Sequence, residues 1–172
     1  MILPDTGLEP LRIFGHAIAA FPSPGAAMAS AFGLGWLLGA VPIGAAEAAV
    51  LVLATVQPPA LVVPLVLLNA FGHVLGKLLW YWLGTQHGRV TNAWLRRQVD
   101  TSAAVARRHP RLSGATLLSS ALVSLPPFHL TVIGAGIVRA PVGLFLLTAF
   151  AGRAIRFSAV ALVPQLVPWL VP

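Results

Sequence analysis

The sequence predicts an all-α integral membrane protein, an inverted repeat of two re-entrant helical hairpins each followed by a transmembrane helix, with interfacial amphipathic helices alongside. Three observations predict it. Two apolar stretches, 26–56 and 114–138, are each broken by proline near the middle. Each is followed by an unbroken apolar segment that carries charge, 60–83 and 141–163. Between the halves lies a basic run, 85–112, whose Arg89, Arg96, Arg97, Arg107, Arg108 and Arg111 are six of the eleven lysines and arginines. Interrupted hydrophobic segments at matching places in two halves point to a transport site near the bilayer midplane.

The composition excludes other classes. The 172 residues are 58% hydrophobic and 9% charged, against about 25% charged in soluble domains. The net charge of +7 does not point to nucleic acid, because the basic residues cluster between apolar blocks. That is the positive-inside signature of a cytoplasmic loop, which also meets anionic lipid headgroups. With no cysteine, disulfides and thiolate chemistry are excluded. Asp5 and Glu9 stand where a cleavable signal would be basic, so no such signal is expected.

Taken in order, residues 1–25 predict an interfacial segment. Leu8, Leu11, Phe14, Ile18 and Phe21 recur at helical spacing, and Pro22 and Pro24 end the pattern. The 31 residues of 26–56 would run about 46 Å as one helix, against about 30 Å of hydrocarbon and about 40 residues for two spans. With Pro42 and Gly44 in the middle, a hairpin that dips in and returns fits best. Gln57-Pro58-Pro59 makes a turn into 60–83, one tilted span. In the basic loop, Val90, Trp94, Leu95 and Val99 are expected to face lipid while Arg96 and Arg97 meet phosphates. Pro126-Pro127 divides 114–138 into two short arms, and a second hairpin is favoured over a kinked span. Arg139-Ala140-Pro141 turns into the final span, and 164–172 reads as a C-terminal tail with Trp169 at the interface. Pro42 to Pro59 is 17 residues and Pro126 to Pro141 is 15, so the halves match as an inverted repeat.

Candidate functional residues stand out because charge inside a bilayer is costly. Glu47 is the one acid inside an apolar segment, a candidate proton-coupling or gating carboxylate, with a structural ion pair as the plainer alternative. Asn69, His73, Lys77 and Tyr81 are four apart and share a helix face, with Gly72, Gly76 and Gly84 beside them for close packing. His73 titrates near neutrality, as histidines do, and joins Glu47 as a proton-coupling candidate. Lys77 is either a ligand or snorkels to the interface with Tyr81. Arg153 and Arg156, three apart, offer planar forks that match phosphate. Their positive charge, with that of Lys77, exceeds what Glu47 balances, so an anionic ligand such as a phosphate headgroup is expected. The alternative pairs one arginine with Glu47 and sends the other to an interface. His129, directly after Pro126-Pro127-Phe128, stands at the end of a broken helix, where backbone amides meet ions.

No nucleotide loop, nucleophile elbow or zinc-protease motif is present. An enzyme is not expected, nor a metal or cofactor.

Leu125-Pro126-Pro127-Phe128-His129, Ala135-Gly136, Pro141, Phe145 and Gly152-Arg153-Ala154-Ile155-Arg156-Phe157 resemble the DedA/VTT superfamily of membrane proteins, most closely its small YqaA-like branch. Pro42 to Glu47 and Gly72, Gly76, Tyr81 and Gly84 match more loosely, so the resemblance covers about 35–163. His129 stands where that family usually has lysine or arginine, and the spacing around Pro42 is shifted. The resemblance implies the two hairpins in an inverted repeat, and lipid movement: phospholipid scrambling or recycling of polyprenyl-phosphate carriers driven by proton-motive force. It also implies headgroup binding by Arg153 and Arg156 and a gating role for Glu47. The expectation is a flippase or scramblase of the bacterial inner membrane, multi-pass, with loop 85–112 cytoplasmic. Gly152 joins Gly72 and Gly76 as a packing residue, and Lys77 and His129 join the headgroup set. Expected partners are membrane lipids, with homo-oligomerisation left open. The rivals are a small-ion or proton exchanger and a non-transporting scaffold.

Overall fold

The computed structural model describes residues 23–41, 45–108 and 114–170. The N-terminal segment 1–22 and the break residues Pro42 and Gly44 lie outside the described residues. Those described are helical, without strands. In chain order the helices are α1 (Pro24–Ala40), α2 (Ala46–Val56), α3 (Pro59–Thr85), α4 (Ala93–Arg108), α5 (Gly114–Val123), α6 (Phe128–Ile137) and α7 (Val142–Leu170), with a 3-10 turn at His87–Arg89. Two are long and apolar enough to cross a membrane, Pro59–Thr85 and Val142–Pro164.

Local chemistry sets the starts. Ser23 caps α1, its Oγ accepting from the Ala26 amide at 3.2 Å. Pro24 and Pro59 sit in the first turns of α1 and α3, where no intrahelical donor is needed. Between α5 and α6 the chain breaks over Ser124–Pro127, with Ser124 at φ 60°. The Ser120 hydroxyl donates to the Pro126 carbonyl at 2.7 Å, and its oxygen lies within hydrogen-bond distance of Thr131 Oγ1 at 3.0 Å. In one continuous helix, residues eleven apart would be about 16 Å from each other. The chain therefore folds back here, and 114–138 is not a single kinked helix. In the first half, Ala27 and Ala31 of α1 share a buried cluster with Leu53 of α2 and Leu65 of α3.

The two halves have one plan. The ends of α1 and α5, Ala40 and Val123, are 83 residues apart; the starts of α2 and α6, Ala46 and Phe128, are 82 apart; those of α3 and α7, Pro59 and Val142, are 83 apart. In each half the first short helix packs on its own long helix, α1 on α3 and α5 on α7. The second crosses over, α2 to α7 and α6 to α3.

Glycine makes the closest of these seams. A Cβ at Gly35 or Gly39 would collide with the carbonyl oxygen of Asn69 or His73, and one at Gly72 or Gly76 with that of Phe32 or Trp36. The α1–α3 contact is thus backbone against backbone from both sides. Gly152 likewise lies against Ala121 of α5.

Two expectations need correction. Val99 of α4 is buried in the core cluster, and Val90 and Leu95 pack against that cluster. The apolar face of α4 therefore meets the protein, chiefly α6, because α6 leaves an apolar surface there to be covered. Trp94 remains half exposed, edge-on to Trp80 at 5.9 Å, and Arg96 and Arg97 are exposed. The segment 164–170 is no separate tail, since α7 continues to Leu170; its prolines do not stop the helix.

Candidate functional site

The crossing of α2 to α7 and of α6 to α3 encloses a cavity of about 320 Å³. Glu47, His73, Lys77, His129, Arg153 and Arg156 all line it, together with Pro127. The six charged or titratable candidates come from four helices yet face one space. Pro126, within the same break, is not among the residues that line it.

Glu47 and His129 occupy equivalent places, each the second residue of its helix, α2 and α6. Neither helix start has a side-chain cap, so its first amides are free of intrahelical acceptors. The helix dipole favours an anion at such an end, which suits the Glu47 carboxylate.

Both arginines converge on that carboxylate. Arg156 Nε donates to Glu47 Oε1 at 2.8 Å, and Arg153 Nη1 donates to the same oxygen at 3.3 Å. Arg156 Nη1 also donates to the Leu122 carbonyl at 2.7 Å, so it ties α5 to α2 through α7. The expectation that one arginine pairs with Glu47 while the other reaches an interface is therefore replaced: both pair with it. Arg153 is 6% exposed and its guanidinium lies 4.4 Å from the Phe128 ring centroid and 5.7 Å from that of Phe157. Its Nε has no hydrogen-bond partner among the described residues.

The face of α3 divides its work. Asn69 Nδ2 donates to the Ala31 carbonyl at 3.0 Å and holds α1. Tyr81 donates to the Ala140 carbonyl at 2.6 Å and stacks on Phe145. Neither reaches the cavity. His73 and Lys77 do, at 3% and 4% exposure. Lys77 does not snorkel: among the described residues it is buried with no bonded acceptor, and both His73 ring nitrogens are unpartnered. Gly72 and Gly76 lie in the α1–α3 seam and Gly152 in the α5–α7 seam.

The sequence reading missed Phe128, which lies under the Arg153 guanidinium, and the Leu122 carbonyl. An aromatic in an apolar run carries no visible sign of a cation above it, and a backbone acceptor carries none at all. It also missed Gly35 and Gly39, although their four-residue spacing mirrors Gly72 and Gly76.

The arrangement can bind anions. Two guanidinium groups, a lysine and two histidines face one carboxylate, in a cavity where low dielectric strengthens each interaction. Among the described residues no group of three or more His, Cys, Asp or Glu side chains is placed to hold a metal.

Comparison with known proteins gives one match. No curated protein and no solved structure matches the chain. The family model of the VTT domain matches residues 21–165, a span that includes every residue lining the cavity. The chain belongs to the VTT-domain family, the membrane-associated DedA/VTT superfamily that its motifs resemble.

Proposed function

We propose that this protein moves phosphate-bearing lipids, phospholipid or polyprenyl phosphate, across the bacterial inner membrane as a flippase or scramblase, with protons coupled through Glu47 and His73. The observation that carries the proposal is the shared cavity of Arg153, Arg156, Lys77 and His129, balanced by Glu47 alone. A phosphate headgroup supplies the missing negative charge and several acceptor oxygens. In this proposal α1–α2 and α5–α6 are re-entrant hairpins of an inverted repeat. The 82- to 83-residue spacing of equivalent elements, the Ser120–Thr131 bond across the break and the crossed packing support it. Opposite orientation of the halves lets one central site face either side in turn.

The test is transbilayer movement of a fluorescent phospholipid and of a polyprenyl phosphate in proteoliposomes, with and without a pH gradient. The expected result is movement of at least one lipid, abolished by Arg153→Ala. Flux of a soluble ion without lipid movement would favour an exchanger, and no flux from folded protein would favour a scaffold.

A further inference from the structure

Within that reading, on which this inference rests, we infer that the phosphate seats on the Lys77 side of the cavity, against His73, Arg153 Nε and the start of α6, while Arg156 and Glu47 form a clasp that positions the wall and does not bind the ligand.

The division follows from which donors are already committed. Arg156 gives Nε to Glu47 and Nη1 to the Leu122 carbonyl, at 2.8 and 2.7 Å. Glu47 Oε1 is shared between Arg156 and Arg153. Other donors of the cavity lining are idle. Lys77 is 4% exposed with no bonded acceptor among the described residues, and His73, one turn earlier, is 3% exposed with neither ring nitrogen bonded. Arg153 lines the same cavity, and its Nε is buried and unpartnered.

Buried polar groups are nearly always hydrogen-bonded, and buried charges are paired. Lys77, His73 and Arg153, which line one cavity and have donors left over, can therefore share one acceptor. The acceptor is anionic, because Lys77 and Arg153 are cations and their one acid is in use. Its donors stand on three helices, α3, α6 and α7, so acceptor oxygens pointing in several directions suit them. The uncapped start of α6, at Phe128 and His129, adds free amides and the positive end of a helix dipole. A tetrahedral oxyanion, with acceptor oxygens pointing in several directions, suits these donors better than a planar carboxylate. The cavity, at about 320 Å³, is about ten times the ~30 Å³ of a water molecule and admits a phosphate without displacing Glu47.

The test is thermal unfolding of the full chain, followed by tryptophan fluorescence. Two probes, each added to protein in detergent, separate the phosphate sources: inorganic phosphate, and phosphatidic acid against diacylglycerol, which has the same tails and no phosphate. For the unaltered protein at least one probe raises the midpoint. Lys77→Met is expected to weaken that effect about tenfold or more, as for the loss of a charged hydrogen bond, while Lys77→Arg keeps it. Without phosphate, Lys77→Met unfolds no earlier than the unaltered protein, since an unpaired buried charge has been removed. Arg156→Met unfolds earlier but still responds to phosphate. A full phosphate response in Lys77→Met would overturn the inference and leave the lipid-transport reading standing. No response to either probe in the unaltered protein would overturn both.

Discussion

Arg156 and Glu47, 109 residues apart, meet at 2.8 Å, and this contact fastens the second short helix of one half to the long helix of the other. Each side chain is under a third exposed, so the pair is neither a screened surface bridge nor a fully dry one.

The first prediction follows from that geometry. Glu47→Gln and Arg156→Met should each destabilise the protein, and the double variant should lose less than the sum. The expected coupling is about 1–3 kcal/mol, as for residues within one ion-pair network. A double-mutant cycle on thermal unfolding in detergent checks it; strict additivity would mean that the pair is not formed.

The α1–α3 seam gives a second test with a built-in control. At Gly39 an added Cβ meets the His73 carbonyl, and at Gly33 it meets nothing within 4 Å. Gly39→Ala should cost about 1–3 kcal/mol through overpacking. Gly33→Ala should be neutral or stabilise by up to about 1 kcal/mol through helix propensity. Unfolding midpoints of the two variants, compared side by side, read the difference.

Phe128 beneath Arg153 offers a third. Phe128→Leu keeps an apolar side chain but removes the ring 4.4 Å from the guanidinium. A loss of about 0.5–2 kcal/mol is expected, along with reduced lipid movement in proteoliposomes because Arg153 is no longer held flat. Unchanged transport would separate Arg153 orientation from function.

Tyr81→Phe removes the 2.6 Å bond to the Ala140 carbonyl while retaining the stack on Phe145. Its expected cost is about 1 kcal/mol. Faster hydrogen exchange of the amides near Ala140 would locate the loss at the head of α7.

The sequence revealed the features that rest on the cost of burying charge. Glu47, His73, Lys77, His129, Arg153 and Arg156 stood out because each is expensive inside apolar segments, and all six line one cavity. Proline was a weaker guide. Pro126-Pro127 marks a true break, yet Pro64 lies inside α3 and α7 runs on through Pro164 and Pro168. A proline removes one backbone donor, and whether the helix survives depends on its neighbours, which one sequence does not display. The facing of α4 was misread for a similar reason. Its apolar stripe has the same period whether it meets lipid or protein, and only the surface of α6 decides between them.

The glycine seams also have a mechanical consequence. With α1 and α3 in backbone contact at Gly35, Gly39, Gly72 and Gly76, and α3 joined to α6 in the same way at Gly84 and Gly136, these three helices form one stiff plate. Sliding any of them would drive a main-chain atom into another main-chain atom. If the protein transports as proposed, the motion falls to α2 and α7, which meet through the Glu47–Arg153 and Glu47–Arg156 side chains.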